Sequence, residues 1–322
     1  MIERRKSIDA LVADAIAIIE KEKRINPEDG AEFFFRGESS NYYHKGDPLA
    51  PLESNFISYL DRKDAKNERF FYQEALRNNI VSFSEDRTMV ERVGRMQHYR
   101  LPTRFADIST NMMLATFFAV GGENAIYKPE KMGDNDKEDG YVRIIKVSPK
   151  KMKSFTSDII TAIAHLPLVK PEYVIPSKLN GLETLRYEIT NERPGFSMNI
   201  RHDDSDRLKH LEKQLRDEIQ HVWAFKPILN NRRIQNQGGA FLAFGCGDKK
   251  KSLAPSFSPD DYNNKSKPSY GIKQIGYVQI HANAKKDVLE QLRMFGMAAE
   301  NVYPDLSDAC TAITNRFEIN KN

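Results

Sequence analysis

The feature that most constrains the fold of this chain is a set of β-type segments standing between segments that predict helices. Apolar and aromatic residues dominate the β-type segments, and glycine or proline lies close to several of their ends, as is typical of buried strands. These segments are Phe33–Phe35, Tyr141–Val147, Ala240–Phe244 and Ile275–Ala282. Helices are predicted within 8–19, 66–98, 112–120, 206–222 and 285–295. The pattern predicts an α+β fold, a β core with helical additions.

The chain shows no internal repeat and no linker that would divide it. We therefore expect a helix within residues 1–30, with Ser7 at its N-cap, followed by one α+β domain over residues 31–322. Polar and acidic residues predict a mobile loop at about 121–140. A stretch rich in lysine, serine and proline predicts a second mobile loop at about 245–271.

Composition narrows the class of protein. Of the 322 residues, 40% are hydrophobic, which is enough for a sizeable core. The formal net charge is +4, from 49 basic and 45 acidic side chains. This small excess would assist binding to nucleic acid, although a solvated surface explains it equally well.

The cysteines and the hydropathy pattern indicate a compartment. Cys246 and Cys310 fit no disulfide or metal-ligand spacing, which suits a reducing environment. The sequence has no signal-peptide pattern and no apolar run of about eighteen residues, the length that a membrane span needs. We therefore expect a cytoplasmic protein that does not enter a membrane and binds no metal ion. A Walker loop and a serine-hydrolase elbow are also absent, which disfavours those classes.

Arg36 is the first candidate functional residue. It follows three phenylalanines and precedes Gly37, so it is predicted at the end of the strand Phe33–Phe35. Gly37 would let the backbone bend closely around a ligand, and an arginine binds phosphate through two parallel hydrogen bonds. The alternative is a structural arginine at a strand end, paired with Glu38 or with another acid.

The second candidate segment is MQHYRLPTRFAD, residues 96–107. It sets polar groups among apolar ones, and Pro102 restricts the local backbone. His98 is a candidate general base, Arg104 a candidate anion ligand and Asp107 an acidic group that would orient them. Alternatively, His98 is a buried structural histidine, and Arg104 forms a structural ion pair with Asp107.

The third candidate segment is RRIQNQGGAFLAF, residues 232–244. Gln235, Gln237 and two glycines precede the predicted strand. Polar side chains beside open backbone groups suit one edge of a pocket. A simple turn before the strand explains the glycines as well.

Taken in order, these segments resemble the FRG-domain family of prokaryotes and their mobile elements. The resemblance rests on FFFRGES, MQHYRLPTR, ISTNMMLATFFAV, NRRIQNQGGAFL and LRMFGMAAENVYPDL, which together extend from about residue 32 to residue 306. Two positions depart from the family pattern, since Arg100 stands where glycine is usual and Ile108 where tryptophan is usual. Neither departure removes a candidate catalytic group.

A more distant resemblance points to an activity. ADP-ribosyltransferases of the Arg-Ser-Glu type have an arginine at the end of their first core strand, a Ser-Thr-Ser strand that leads into a helix, and a glutamate strand. Residues 35–37 are similar to the first element. Residues 109–110, followed by Ala115, Phe118 and Ala119 in the pattern Ala-x-x-Phe-Ala, are similar to the second. At the third element, Gln235 and Gln237 stand about where a Gln-x-Glu pair would be.

This second resemblance implies an ADP-ribosyltransferase-like split β core and NAD as the substrate. The implied cofactor-binding residues are Arg36, Gly37, Ser109, Thr110, Arg104 and Gln235, and the implied catalytic residues are His98, Gln237 and Asp107. Arg36 would bind the NAD phosphates and Ser109 would support the pocket. Gln237 would hold the ribose 2′-hydroxyl without supplying charge. Asp107 or Glu38 would then supply the carboxylate that stabilises the oxocarbenium ion, or His98 would act as base.

The FRG resemblance further implies an effector, the toxin of a toxin–antitoxin or phage-defence locus, that modifies RNA, DNA or protein. The basic balance and Lys249–Lys251 favour nucleic acid, and RNA in particular, as the acceptor. An antitoxin protein would accompany a toxin. Two alternatives stay open: a metal-independent nuclease that acts through His98, Arg104 and Arg36 without NAD, and a non-catalytic sensor that binds a nucleotide in the same pocket.

Overall fold

A seven-stranded sheet forms the centre of the molecule. The computed structural model describes residues 7–27, 30–40, 68–127, 137–168, 217–228, 235–236, 239–246, 262–267 and 270–319. The strands are β1 (Glu32–Glu38), β2 (Phe105–Ser109), β3 (Gly140–Val147), β4 (Met152–Ser154), β5 (Val222–Lys226), β6 (Gly239–Phe244) and β7 (Ile272–Ile280). They lie side by side in the order β4-β5-β6-β2-β1-β3-β7. Neighbouring strands are antiparallel, except that β4 and β5 are parallel.

Helices pack on the sheet and at its edges. They are α1 (Ile8–Ile25), α2 (Glu68–Asn79), α3 (Met89–His98), α4 (Met112–Ala119), α5 (Asn124–Tyr127), α6 (Asp158–His165), α7 (Lys285–Met294), α8 (Ala299–Val302) and α9 (Leu306–Ile319). The mixture of helices and a largely antiparallel sheet confirms the predicted α+β class. The finer expectation, an ADP-ribosyltransferase-like split core, stays a prediction.

The two faces of the sheet contribute to different apolar clusters. On one face, α2, α3 and α6 pack around Phe105 and Phe241, and α1, α4 and α7 pack around Val142. The other face carries a third cluster, which includes Phe34. Phe34 and its neighbour Phe35 therefore belong to different clusters, as the alternation of side chains along a strand requires.

The ladder on one side of β1 is much shorter than the ladder on the other side. With β3, β1 pairs along its whole length, from Glu32 opposite Val147 to Glu38 opposite Tyr141. With β2, as these two strands are described, it shares the single register pair of Phe35 opposite Ser109. Backbone groups of β2 that lie away from this pair can therefore form hydrogen bonds with side chains of β1.

Two caps determine where the helices beside this junction begin. Thr88 and Glu91 form a capping box, in which Thr88 N donates to Glu91 Oε2 at 2.8 Å and Glu91 N donates to Thr88 Oγ1 at 3.3 Å. The box starts α3, which ends at His98. Asn111 caps α4, because its Oδ1 accepts from Met113 N at 2.9 Å.

Several element boundaries differ from the predicted ones. β1 continues past Arg36 to Glu38, because these residues extend the ladder with β3. Within the loop predicted at about 121–140, residues 124–127 are helical. Val222 begins a strand and is not the end of a helix. The remainder of the helix predicted at 206–222 and of the loop predicted at about 245–271 falls mostly outside the described residues.

Candidate functional site

Arg36 lies inside β1 and bridges to β2. Its Nε donates to Glu38 Oε1 at 3.1 Å, and its Nη1 donates to the Asp107 carbonyl oxygen at 2.8 Å. Arg36 and Glu38 share one face of the sheet because they are two residues apart in a strand. The Arg36 side chain keeps 14% of its surface exposed. The predicted position at a strand end is thus wrong, whereas the contact with Glu38 is present.

Glu38 is buried between two arginines. Its Oε2 accepts a hydrogen bond of 2.6 Å from Arg143 Nε, in addition to the bond that its Oε1 accepts from Arg36. The side chains of Glu38 and Arg143 are 3% and 6% exposed, so the low local dielectric strengthens these ion pairs. Arg143 Nη1 also lies 3.5 Å from its acceptor, Gln274 Oε1, on β7.

A chain of hydrogen bonds within residues 96–107 orients the Asp107 carboxylate. Its Oδ2 accepts from Gln97 Nε2 at 2.8 Å, and Gln97 Oε1 accepts from Thr103 Oγ1 at 2.7 Å. Thr103 Oγ1 in turn accepts from Phe105 N at 3.1 Å. The Asp107 side chain is 39% exposed, so this carboxylate reaches solvent while Glu38 does not.

His98 lies against Asp107 at the end of α3. Its Nδ1 is 3.5 Å from Asp107 Oδ1, and its ring packs against Phe241 with the ring centroids 5.2 Å apart. The His98 side chain is 2% exposed, so it is covered although its carboxylate neighbour is not. This arrangement sets the His98 imidazole next to the Asp107 carboxylate.

Ser109 and Thr110 follow Asp107 along the chain and differ in exposure. Ser109 is buried at the end of β2, and its Oγ accepts from Asn111 N at 2.9 Å. This bond shapes the turn that leads into α4. Thr110 is exposed.

The glutamine segment is described in part. Gln235 is exposed, and its neighbour Asn236 donates from Nδ2 to the Asn301 carbonyl oxygen at 2.6 Å. Gln237 falls outside the described residues. Gly239 begins β6 opposite Ser109, and an added Cβ there would lie 4.0 Å from His98 Cε1. The start of β6 therefore adjoins His98 and Ser109.

Arg104 lies apart from this group, in the core. Its Nε and Nη2 each lie 2.7 Å from a carboxylate oxygen of Glu68, and its Nη1 donates to the Gly245 carbonyl oxygen at 2.7 Å. The side chain is 1% exposed. The sequence suggested Asp107 as the partner of a structural Arg104, but the partner is Glu68, on α2.

Gly37 packs against a helix. Its Cα faces α4 so closely that an added Cβ would lie 1.7 Å from the Ala115 carbonyl oxygen. Its φ does not lie in the left-handed region, whereas that of Arg100 is +66°. The position where the FRG family usually has glycine therefore has the backbone conformation that glycine adopts without strain.

Other reactive groups of the described residues contribute little to this site. Burial raises the pKa of the Cys246 thiol to about 12, so this cysteine is a poor nucleophile. The described part of the chain contains no cluster of His, Cys, Asp and Glu suited to a metal ion. None of the helices described has the length and apolar character of a membrane span.

Sequence reasoning missed Arg143 as a member of the site and Glu68 as the partner of Arg104. Arg143 had a signal, because a charged residue interrupts the apolar run of β3. Glu68 had none, since it lies 36 residues from Arg104 in a charged helix. Arg36, Glu38 and Arg143 extend from one face of the sheet, whereas the Asp107 carboxylate, beside His98, extends from the other face. The bond from Arg36 to the Asp107 carbonyl oxygen joins these two groups. An arginine held in this way can bind an anion, and an exposed carboxylate can stabilise a positive charge that develops beside it.

Comparison with known proteins identifies one segment of the chain. Residues 31–127 match the family model of the FRG domain. This segment contains β1, α3, β2 and α4, and hence Arg36, His98 and Asp107. No curated protein and no solved structure gives a significant match.

Proposed function

From the match of residues 31–127 to the FRG domain model, we propose that this chain is an NAD-dependent ADP-ribosyltransferase-like effector. The observation that carries the proposal is the bridging position of Arg36, whose guanidinium is held by the Glu38 carboxylate and the Asp107 carbonyl group. A guanidinium fixed in this way presents a defined orientation to a phosphate. Arg36 would bind the NAD pyrophosphate.

Asp107 is the carboxylate that we propose in place of the glutamate of Arg-Ser-Glu type ADP-ribosyltransferases. Glu38 is buried and bonded to two arginines, whereas Asp107 is partly exposed and is oriented by Gln97. As the bond between ribose C1′ and the nicotinamide nitrogen breaks, its electron pair leaves with nicotinamide and positive charge develops on the ribose. An adjacent carboxylate stabilises that charge.

The acceptor completes the reaction. An acceptor N–H or O–H group would form the new bond to C1′ and lose its proton, for which Asp107 is the exposed base and His98 the neighbour that shares the proton. The slightly basic composition favours a nucleic acid, RNA above all, and a protein is the other acceptor class. A toxin–antitoxin or defence locus, with an antitoxin partner, is the setting that the FRG resemblance implies.

The nuclease alternative receives less support from the geometry. The nuclease hypothesis needs Arg104 at the phosphate, but Arg104 is bonded to Glu68 and Gly245 in the core. The sensor hypothesis uses the same pocket and needs no catalytic charge, so it is compatible with Gln237 where Arg-Ser-Glu type ADP-ribosyltransferases have glutamate. A sensor would bind NAD without transferring ADP-ribose.

Transfer of label from NAD tests the proposal. The purified protein is incubated with NAD labelled in its adenylate phosphate and with RNA, DNA or a bacterial extract. Label is expected in one acceptor class with the wild type, and Arg36→Lys and Asp107→Asn are expected to abolish it. Saturable NAD binding without transfer would indicate the sensor, and RNA cleavage without NAD would indicate the nuclease.

A further inference from the structure

We infer that Arg143 is a positioning residue for Arg36 and acts through the Glu38 carboxylate. This places a strand outside residues 31–127 in the functional site. The inference rests on the proposed function only for the identity of the anion that Arg36 binds.

The register of β1 and β3 sets the two arginines side by side. Arg36 lies directly opposite Arg143, so both side chains extend from the same face of the sheet. Like charges directly opposite one another in a sheet repel. Glu38, two residues further along β1, lies on the same face and bonds to both arginines.

The carboxylate divides its two oxygens between the arginines. Oε1 accepts from Arg36 Nε at 3.1 Å, and Oε2 accepts from Arg143 Nε at 2.6 Å. The shorter bond is the one to Arg143. Rotation of the carboxylate would weaken both bonds together, so Arg143 determines the plane in which Arg36 finds its acceptor.

Arg143 is itself held in a way that a lysine cannot reproduce. Its Nε is directed at Glu38 and its Nη1 at Gln274, on a different strand. The guanidinium spans these two directions because it is planar and carries several donors, whereas a lysine supplies one nitrogen. Arg143→Lys would therefore keep the charge and lose the geometry.

Nitrogen-15 NMR of the arginine Nε–Hε groups tests the inference without requiring activity. The Arg36 signal is assigned by its loss in Arg36→Lys. In the wild type this signal should show slow exchange of Hε with solvent. In Arg143→Lys the Arg36 signal should shift and exchange about tenfold faster, which corresponds to a loss of about 1.4 kcal/mol of protection.

A matched control and a second variant keep the test decisive. Arg95→Lys changes another arginine that binds a buried carboxylate, Asp86, at 2.7 and 2.8 Å, and should leave the Arg36 signal unchanged. If Arg143→Lys fails to fold, Gln274→Leu removes one acceptor of Arg143 and should shift the Arg36 signal in the same direction. An unchanged Arg36 signal in a folded Arg143→Lys or Gln274→Leu protein would overturn the inference.

Titration with ADP-ribose separates this inference from the proposed function. If the wild type binds ADP-ribose, Arg143→Lys should raise the Kd about tenfold, and Arg95→Lys should not change it. An unchanged Kd in Arg143→Lys would contradict the positioning role. If the wild type does not bind ADP-ribose or NAD, the proposed function fails, and the NMR signal of Arg36 still decides the role of Arg143.

Discussion

Arg36 Nη1 donates a hydrogen bond of 2.8 Å to the carbonyl oxygen of Asp107, 71 residues further along the chain. This bond joins the aromatic-Arg-Gly segment to the end of the MQHYRLPTRFAD segment. It lies beside the junction where β1 and β2 share the single described pair of Phe35 and Ser109. Two segments that the sequence marks separately thus meet between β1 and β2.

Replacing Gly37 by alanine should destabilise the protein strongly. The added Cβ would lie 1.7 Å from the Ala115 carbonyl oxygen, so α4 would have to move away from β1. We expect the free energy of unfolding to fall by more than about 3 kcal/mol, the upper end for overpacked cores. Urea denaturation measures the change.

Gly94→Ala is the control for Gly37→Ala. An added Cβ there would lie 3.5 Å from the Phe241 ring, an ordinary contact, and α3 would lose a glycine from its interior. We expect the free energy of unfolding to rise by about 0.5–1 kcal/mol. Equal effects of the two substitutions would show that α4 does not pack on β1 as described.

Replacing Arg100 distinguishes its backbone strain from its side-chain contacts. The guanidinium lies 3.6 Å from the Tyr127 ring centroid and pairs with Glu123, and both contacts are lost in Arg100→Ala and in Arg100→Gly. Glycine also relieves the strain of φ +66°. Arg100→Gly should therefore be more stable than Arg100→Ala by about 1 kcal/mol in thermal unfolding. An alanine variant as stable as the glycine variant would contradict the left-handed conformation.

Arg104 should behave as half of a buried ion pair. Arg104→Ala leaves the Glu68 carboxylate charged in the core and should cost about 3–5 kcal/mol in urea denaturation. The double variant Arg104→Met with Glu68→Leu removes both charges and should recover most of that loss. Arg77→Ala, in the exposed pair with Glu74, should leave the free energy of unfolding nearly unchanged. A double variant as unstable as Arg104→Ala would argue against this pairing.

Lys151 should make stability depend on pH above neutrality. Its Nζ is buried 3.1 Å from His221 Nδ1 and 4.1 Å from the Trp223 ring centroid. Burial, with Lys153 nearby, lowers the pKa of Lys151 from 10.5 to about 7, and Glu218 opposes the shift. Between these values the unfolded chain binds more protons than the folded one, so stability rises with pH across this window.

The slope of the unfolding free energy against pH, measured between pH 7 and pH 9, tests this effect. The wild type should gain about 1 kcal/mol of unfolding free energy per pH unit from Lys151, and Lys151→Met should lose that contribution. Lys153→Met, which removes a more exposed lysine near Trp223, should keep most of the slope. Identical slopes for the wild type and Lys151→Met would show that Lys151 is not buried uncharged.

The sequence predicts where helices and strands lie better than it predicts which residues contact one another. Val142 and Ile144 mark β3 because apolar residues recur in a short segment after glycine, a local property. The Glu68–Arg104 pair depends on how α2 packs, which no local pattern encodes. Arg104 therefore seemed a site residue because of its neighbours along the chain, although its side chain lies in the core.

In the candidate site, too, local sequence patterns are predictable and long-range contacts are not. Asp107 and His98 are recognisable as candidate site residues because they are polar groups in an otherwise apolar segment. The packing role of Gly37 is not recognisable from the sequence, because its close contact with Ala115 depends on the position of α4 on β1. Arg143 joins the site through the register of β1 and β3, which the sequence does not specify.

The central claim is that Arg36 binds the phosphates of NAD. Isothermal titration of the wild type and of Arg36→Lys with NAD, and with nicotinamide riboside as a ligand that lacks phosphate, tests it most directly. Thermal unfolding first shows whether the Arg36→Lys protein is folded. We predict that the folded variant binds NAD at least about tenfold more weakly than the wild type and binds nicotinamide riboside with unchanged affinity. Equal NAD affinity in the two proteins, or no NAD binding by the wild type, would contradict the claim.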